Sequence, residues 1–125
     1  MLIAKPMMSQ EIFLSVKVEV RFTIGSVRLN MTRSDMRKIW KYELDTRKER
    51  FDILVPMGAT FLTAQIQNGK VVMWAEVEDE RPMEVRHFLF IETGAPLFRE
   101  GILRFIATLQ LDGGKYVVHL FEEER

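Results

Sequence analysis

The chain has no cysteine and only two histidines, His87 and His119. Without cysteine, neither a disulfide nor a thiolate zinc site can form. A histidine-based metal site needs several ligands at short spacing, and neither histidine has a second one nearby in the sequence. We therefore expect no metal and no cofactor, and the absence of disulfides favours a cytoplasmic protein.

An excess of charge is also missing, because 18 Lys and Arg residues balance 18 Asp and Glu residues. Dedicated DNA-binding proteins usually carry a basic excess, so nucleic acid is not an expected partner. No apolar run is long enough to cross a bilayer. The first residues, Met1 to Pro6, lack the basic leader and the sustained apolar stretch of a secretory signal. These absences predict a protein that does not enter a membrane.

Serine is absent from residue 37 onward: all four Ser and five of the eight Met lie in the first 36 residues. This shift in composition predicts an N-terminal β-rich extension over residues 1–36 and a single β-domain over residues 37–125. The alternative is that the native chain begins at Met31 or Met36.

The extension contains a clear strand pattern. Apolar residues from Leu14 to Ile24 alternate with polar ones, which is typical of a strand with one buried face. Gly25-Ser26 then predicts a turn into Val27-Arg28-Leu29. We expect this hairpin-like extension to pair with an edge of the main sheet or of a neighbouring subunit.

The main domain shows its strongest signal around Asn68-Gly69, a favoured two-residue hairpin turn. Strands are predicted over 38–45 and 51–55, and then over 61–67 and 71–78 on either side of this turn. In the expected register three apolar pairs share one face: Ile66 with Val71, Ala64 with Met73, and Leu62 with Ala75. A slip of one residue would destroy this sorting, so the turn and the pattern agree.

The rest of the chain also favours strands. Residues 85–91 are apolar on both faces, which predicts a central covered strand, and residues 97–104 are expected to form one helical turn. A second hairpin is predicted around Gly113-Gly114, with Thr108 opposite His119. The sequence therefore predicts a mainly β fold, a small antiparallel sandwich or half-open barrel of six to eight strands with at most one short helix.

Catalytic equipment is sparse, and we expect no enzyme. A nucleophile needs a positioned base beside it, and the main domain has no Ser or Cys. Glu76 and Glu78 share a strand face, but with Asp79 and Glu80 they read as a solvated acidic edge. His119 is interpreted as a core imidazole bonded to Thr108 or to a backbone carbonyl, with a ligand-facing role as the alternative.

A ligand surface is predicted on the hairpin face that holds Trp74, Thr63, Gln65 and Gln67. An aromatic ring among amides can stack a base while the amides donate and accept hydrogen bonds. The candidate ligand-binding residues are the possible stacking rings Trp40, Tyr42 and Trp74 and the possible phosphate-binding Arg86 and Arg104. The alternative interpretation is that Trp74 packs against a neighbouring strand and the arginines face solvent.

Several short segments resemble a family of short tailed-phage and prophage proteins. They occur in the family's order, over residues 37–122: Ile39-Trp40-Lys41-Tyr42, Trp74-Ala75-Glu76-Val77, Thr93-Gly94-Ala95-Pro96, Phe105-Ile106-Ala107-Thr108 and His119-Leu120-Phe121-Glu122. The chain departs from the family where Met73 replaces Leu, Ala95 replaces a histidine and Ala107 replaces glycine. The resemblance implies a viral or prophage origin and carries no established activity.

Two classes of function remain open. The first is a phage accessory protein that acts by binding in the host cytoplasm, either sequestering a nucleotide-derived signal or docking on a host defence protein. Its pocket is expected between subunits, because so small a domain offers few deep concave sites. The second is a structural or assembly protein of the virion, built through exposed strand edges. Both are compatible with a homo-oligomer.

Overall fold

In the computed structural model, residues 37–97 and 101–124 are described in full, and three N-terminal strands are described by their backbone pairing alone. No α-helix occurs among these residues, and the predicted mainly β fold is confirmed. The strands are β1 Ile3–Ala4, β2 Val20–Ile24, β3 Val27–Met31, β4 Lys38–Leu44, β5 Arg50–Pro56, β6 Thr60–Gln67, β7 Lys70–Val77, β8 Met83–Glu92, β9 Ile102–Leu111 and β10 Tyr116–Glu124.

Two antiparallel sheets form the main domain. The small sheet has the strand order β4-β7-β6, and the large sheet has the order β5-β8-β10-β9 with β1 added in parallel at the outer side of β5. β6 of the small sheet lies beside β9 of the large sheet. Among the described strands, no backbone pairing joins the two sheets there. The result is an open two-sheet arrangement, as the predicted sandwich or half-open barrel requires.

The N-terminal strands agree with the sequence only in part. β2 and β3 pair antiparallel with Ile24 opposite Val27, which fits a two-residue turn at Gly25-Ser26. The turn itself and residues 14–19 of the predicted strand lie outside the described residues. The expected addition of this hairpin to the main sheet is wrong for its described part, because β2 and β3 form a sheet of their own. Pairing with a neighbouring subunit stays a prediction.

The β6–β7 hairpin has the predicted turn and most of the predicted register. Asn68 and Gly69 both have positive φ, at 52° and 77°, as a type I′ turn requires. Ile66 lies opposite Val71 and Ala64 opposite Met73. The predicted pair of Leu62 with Ala75 is wrong, because a β-bulge between Phe61 and Thr63 places Phe61 opposite Ala75 instead.

The bulge has a packing reason. An extra residue on one strand reverses the in–out order beyond it. Phe61 thereby turns into the core, where its ring meets Phe88 edge-on with the centroids 4.8 Å apart, and Leu62 turns out to solvent. A large aromatic side chain thus packs, half-buried, against the core in place of an aliphatic one.

The large sheet contains one further correction. β8 lies between β5 and β10, as predicted for a central strand, but its Val85 is exposed and His87 is half-buried, so the outer face is not fully covered there. The helical turn expected over 97–104 is wrong where the structure describes it, because Ile102, Leu103 and Arg104 begin β9. Residues 98–100 lie outside the described part.

The core fills the space between the two sheets. Its fully buried side chains come from alternate positions of the inner faces, and the largest are Tyr42, Phe88, Ile53, Met73 and Leu120. Phe51 stacks on Phe88 with the ring centroids 5.6 Å apart. The β4–β5, β6–β7 and β9–β10 turns lie together at one end of the domain, here named the turn end. β4, β8 and β9 begin at the opposite end.

Candidate functional site

A concave surface of the described residues lies at the turn end. It is an open groove of about 780 Å³, which is within the usual range for a ligand site. Three turns build it, each contributing a few residues: Glu43 to Arg47 before β5, Ile66 and Gly69 to Val71 around the β6–β7 turn, and Gln110 to Gly113 at the end of β9. We name this surface the turn-end groove.

Four residues that line the turn-end groove are apolar, and we name them its floor. Leu44 and Val71 are buried members of the core that reach its base, while Leu111 is half-buried and Ile66 is 44% exposed. Burying exposed aliphatic surface under a ligand removes it from water and contributes favourable free energy to binding. The floor is therefore suited to an apolar group of a partner.

The rim of the groove is charged, and most of the charge is already paired. Lys70 Nζ lies 3.3 Å from Glu43 Oε1, and Arg47 Nε donates to Asp45 Oδ1 at 2.9 Å. The hydrogen bonds from Arg47 hold the pKa of Asp45 below its usual value, so this carboxylate is ionised at neutral pH. Asp112 has a long ion pair, 4.0 Å from Lys115. Three carboxylates and two cations line the groove, which leaves it one net negative charge.

Two of the predicted ligand-binding residues are buried in the core. Trp40 is 7% exposed, and Tyr42 is fully buried with its hydroxyl donating to the carbonyl of Leu54 at 3.2 Å. Burial raises the pKa of Tyr42 well above its ordinary value. A stacking role needs an accessible ring face, so this arrangement does not support one for either residue.

The two predicted phosphate-binding arginines lie at the opposite end, and acids neutralise both of them. Arg86 makes a bidentate pair with the buried Glu122, with Nη2 donating to Oε1 at 2.9 Å. It also donates to the Ala59 carbonyl at 3.1 Å, and its guanidinium stands 5.0 Å above the ring of Phe61. The hydrogen bonds from Arg86 to Glu122 raise the pKa of Arg86 further.

Arg104 is the more exposed of the two, and its Nη2 pairs with Glu124. Glu122 is its register partner on β10, so the two arginine pairs are neighbours on the inner side of the large sheet. A phosphate would have to displace a carboxylate from either arginine, which opposes binding of an anion there.

Trp74 is placed apart from these residues, on the outer face of the small sheet. It lies between Lys41 on β4 and Thr63 on β6, and Gln65 and Gln67 continue the same face. Lys41 Nζ donates to Gln67 Oε1 at 3.1 Å. The structure therefore confirms that these side chains share one surface, but it does not bring Trp74 together with Trp40, Tyr42, Arg86 or Arg104.

The two histidines do not meet. His87 Nδ1 lies 2.8 Å from Oδ1 of the buried Asp52, which is its register partner on β5. His119 is bonded through both ring nitrogens, to Thr108 Oγ1 at 2.9 Å and to Thr93 Oγ1 at 2.8 Å. The Thr108 contact was predicted, but His119 faces outward and is half-buried, so its assignment to the core is wrong. The two register positions are about 13 Å apart along β10.

The acidic edge of β7 is more organised than a simple solvated run. Arg37 Nε lies 3.1 Å from Glu76, and its Nη1 donates to Glu78 at 2.8 Å, while Arg81 donates to the other oxygen of Glu78 at 2.6 Å. The bond from Arg81 lowers the pKa of Glu78. A general acid needs a raised pKa, so Glu78 is suited to ion pairing instead. Among the described residues, no cluster of His, Asp and Glu is arranged to hold a metal ion.

Sequence reasoning missed the turn-end groove, because its assembly depends on the relative direction of β8 and β9. The turns at Asn68-Gly69 and Gly113-Gly114 were both predicted, but strict alternation of direction from each strand to the next would send them to opposite ends. β8 and β9 run in the same direction, since both are antiparallel to β10, and this brings the β9–β10 turn to the end that holds the β4–β5 and β6–β7 turns. The turn-end groove is built from one chain, and the expected pocket between subunits stays a prediction.

Fold and groove together define a small all-β domain with a concave surface formed by turns, an arrangement that suits binding through loops. The chain belongs to the family described as a domain of unknown function (DUF7352), whose model matches residues 36–125. Comparisons with curated proteins and with solved structures give no match. Within the described part of the chain, no helix has the length and apolar character needed to traverse a bilayer.

Proposed function

We propose that this protein is a phage or prophage accessory protein that acts by binding rather than by catalysis, and that the turn-end groove docks on a protein of the host's antiviral defence in the host cytoplasm. The observation that carries the proposal is the groove itself, with its exposed Ile66 on the floor and its self-paired charges on the rim. Protein interfaces combine an apolar centre with a polar rim in the same way.

Charge favours a protein over a nucleotide as the ligand. A nucleotide signal carries phosphates, which need free cations or backbone amides to bind them. In the groove Lys70 and Arg47 already pair with Glu43 and Asp45, and Asp112 adds a further negative charge. Arg86 and Arg104 are neutralised by Glu122 and Glu124. Sequestering an anion would leave these carboxylates without partners.

The proposal is tested by expressing the chain in a bacterial host that carries an antiviral defence system and counting plaques of a sensitive phage. The wild-type protein should restore plaque formation, and Ile66→Arg should abolish the effect because it places a cation on the apolar floor. Lys41→Gln, on the outer face of the small sheet and outside the residues that line the groove, is the control and should behave as wild type. Equal activity of all three proteins would contradict a role for the groove.

Thermal shift measurements separate the two versions of this function. We expect no stabilisation by cyclic nucleotides at large excess, because a ligand that binds only the native state must raise the melting temperature. Stabilisation by a cyclic nucleotide would favour sequestration over protein docking.

A virion assembly protein is the second candidate, because exposed apolar side chains lie along β9, the last strand of the large sheet. Ile102 is 68% exposed and Phe105 is 58% exposed. Apolar groups that project from an edge strand are suited to subunit contacts. Detection of the protein in purified virions would support this function, and its absence there would exclude it.

A further inference from the structure

Two threonines and a histidine from separate segments of the chain meet on the outer face of the large sheet. Thr93 follows β8, Thr108 lies on β9 and His119 lies on β10 between them. Thr108 Oγ1 is 2.9 Å from His119 Nδ1, and Thr93 Oγ1 is 2.8 Å from His119 Nε2. All three residues lie outside those that line the turn-end groove, so the proposed function makes no use of them.

The direction of these hydrogen bonds follows from one further contact. Thr93 Oγ1 also lies 3.3 Å from the carbonyl oxygen of Val117, which can only accept, so the single hydroxyl proton of Thr93 is donated there. Thr93 then accepts the proton of His119 Nε2. A neutral imidazole carries one N–H, so Nδ1 is an acceptor and takes its bond from the hydroxyl of Thr108. The reverse assignment would leave Thr93 and the Val117 carbonyl facing each other without a proton.

This arrangement is the one that activates a nucleophile: a hydroxyl donates to an imidazole whose other nitrogen is held by a third group. Thr108 is the hydroxyl, His119 is the base, and Thr93 orients the ring through Nε2. Thr108 is exposed, so a small reagent can reach it. The other histidine differs, because His87 Nδ1 lies beside the carboxylate of Asp52 rather than beside a hydroxyl.

The surroundings of Thr108 favour an acyl group over a phosphoryl group. His119 lies opposite Ile91 on β8, and Phe121 follows two residues later on the same side of β10. Both neighbours are half-buried and uncharged. Phosphoryl oxygens need cations or backbone amides around them, whereas an acyl group can pack against apolar side chains. We propose that Thr108 is a covalent acceptor site that takes an acyl group from a small activated ester, with His119 as the base.

The proposed step is a single acyl transfer without oxidation or reduction. Thr108 Oγ1 forms a bond to the carbonyl carbon of the ester while its proton passes to His119 Nδ1. The bond from that carbon to the leaving oxygen then breaks, the electron pair stays on the oxygen, and His119 returns the proton to it. The products are an ester on Thr108 and a free alcohol. Each chain takes up one acyl group, so the step modifies the protein and is compatible with a function in binding.

The test treats the full chain with p-nitrophenyl acetate and follows acetylation of each threonine by peptide mass spectrometry. Hydroxylamine then cleaves threonine esters and leaves lysine amides intact. Thr60 is the internal control, because it is also exposed, while the hydrogen bonds of the two histidines go to Asp52, Thr93 and Thr108. We expect Thr108 to be acetylated about 100-fold faster than Thr60, which is within the range that a positioned base provides.

Three variants separate activation by His119 from simple exposure of Thr108. His119→Gln keeps a polar side chain but no base, and it should slow acetylation of Thr108 by about 100-fold. Thr93→Val removes the orienting bond and should give a rate between those of His119→Gln and wild type. Thr108→Ser keeps the hydroxyl and should be acetylated at least as fast as wild type. Melting curves followed by circular dichroism establish that each variant is folded.

Equal acetylation of Thr108 and Thr60 in the wild-type chain would overturn the inference, and this comparison needs no substitution. An unchanged rate at Thr108 in folded His119→Gln would overturn the assignment of His119 as the base, and an unchanged rate in Thr93→Val would overturn the orienting role of Thr93. None of these results bears on the turn-end groove, whose role the plaque assay tests separately.

Discussion

The two ends of the sandwich use charge in opposite ways. At the turn end, ion pairs are exposed and local, such as Asp45 with Arg47 two residues later. At the opposite end, Arg86 joins three elements: it binds Glu122 on β10, Glu84 on its own strand and the carbonyl of Ala59 before β6. The exposed pairs at the turn end are free to rearrange, whereas the Arg86 cluster at the opposite end holds the two sheets together. The opposite end also has exposed pairs, such as Glu78 with Arg81.

This difference suggests where function is found in so small a domain. The half-buried Arg86, with its guanidinium fully hydrogen-bonded, fixes the relation of the sheets, because removing either partner leaves an uncompensated charge. Exposed pairs contribute little to stability and are easily exchanged for contacts with a partner. The turn end can therefore change its contacts while the opposite end preserves the fold.

The largest expected effect is loss of the pair between Arg86 and Glu122. Glu122→Ala leaves the Arg86 guanidinium without its bidentate partner beside the core, and we expect the free energy of unfolding to fall by about 3 kcal/mol. Urea denaturation measures the change. The matched variant at the turn end is Arg47→Ala, which should leave the urea midpoint unchanged. Equal losses in both variants would contradict the distinction between the two ends.

The sequence predicted most of the fold because its strongest signals are local. Asn68-Gly69 specifies a turn, the turn fixes the register, and the register sorts Ala64, Met73 and Val71 to the core. The bulge at Leu62 was missed because its cause is not local. Only the position of Phe88 on the other sheet explains why Phe61 must turn inward.

The candidate site was harder to predict, because pairing between distant residues decides which charges are free. Arg86 and Glu122 are separated by 36 residues, and nothing in the alternation of β8 or β10 shows that they meet. Trp40 and Tyr42 were proposed as stacking rings for their chemistry, while their alternation with Ile39 and Lys41 already marked the inner face of β4. Assigning the two faces of β4 from its alternation first, before considering side-chain chemistry, would have placed both rings in the core.

A smaller loss of stability is expected from substituting Tyr42, an uncharged side chain of the core, than from breaking the Arg86 pair. Tyr42→Phe removes the bond to the Leu54 carbonyl and should lower the free energy of unfolding by about 1 kcal/mol at neutral pH. The folded pKa of Tyr42 is raised above its usual 10.0, so its contribution is complete below that pH and declines as the pH rises toward the folded pKa. Wild type should therefore lose stability above about pH 10, and Tyr42→Phe should lose less, as followed by urea midpoints across that range. Parallel decline in the two proteins would contradict this account.

The smallest effect is expected in acid, from the exposed carboxylate of Glu78. The bond from Arg81 lowers its folded pKa below the usual 4.5, so it stabilises the native state above that pH and this contribution is lost as the pH falls through the folded pKa. Glu78→Gln should make the free energy of unfolding depend less steeply on pH between about 5 and 3. Because the pair is exposed, we expect this change to be near the limit of detection. The measurement is a series of urea midpoints in that range, with Glu80→Gln in the adjoining loop as the control. A loss at neutral pH as large as that of Glu122→Ala would show that exposed pairs also hold the sheets together, and the contrast between exchangeable and fixed charges would fail.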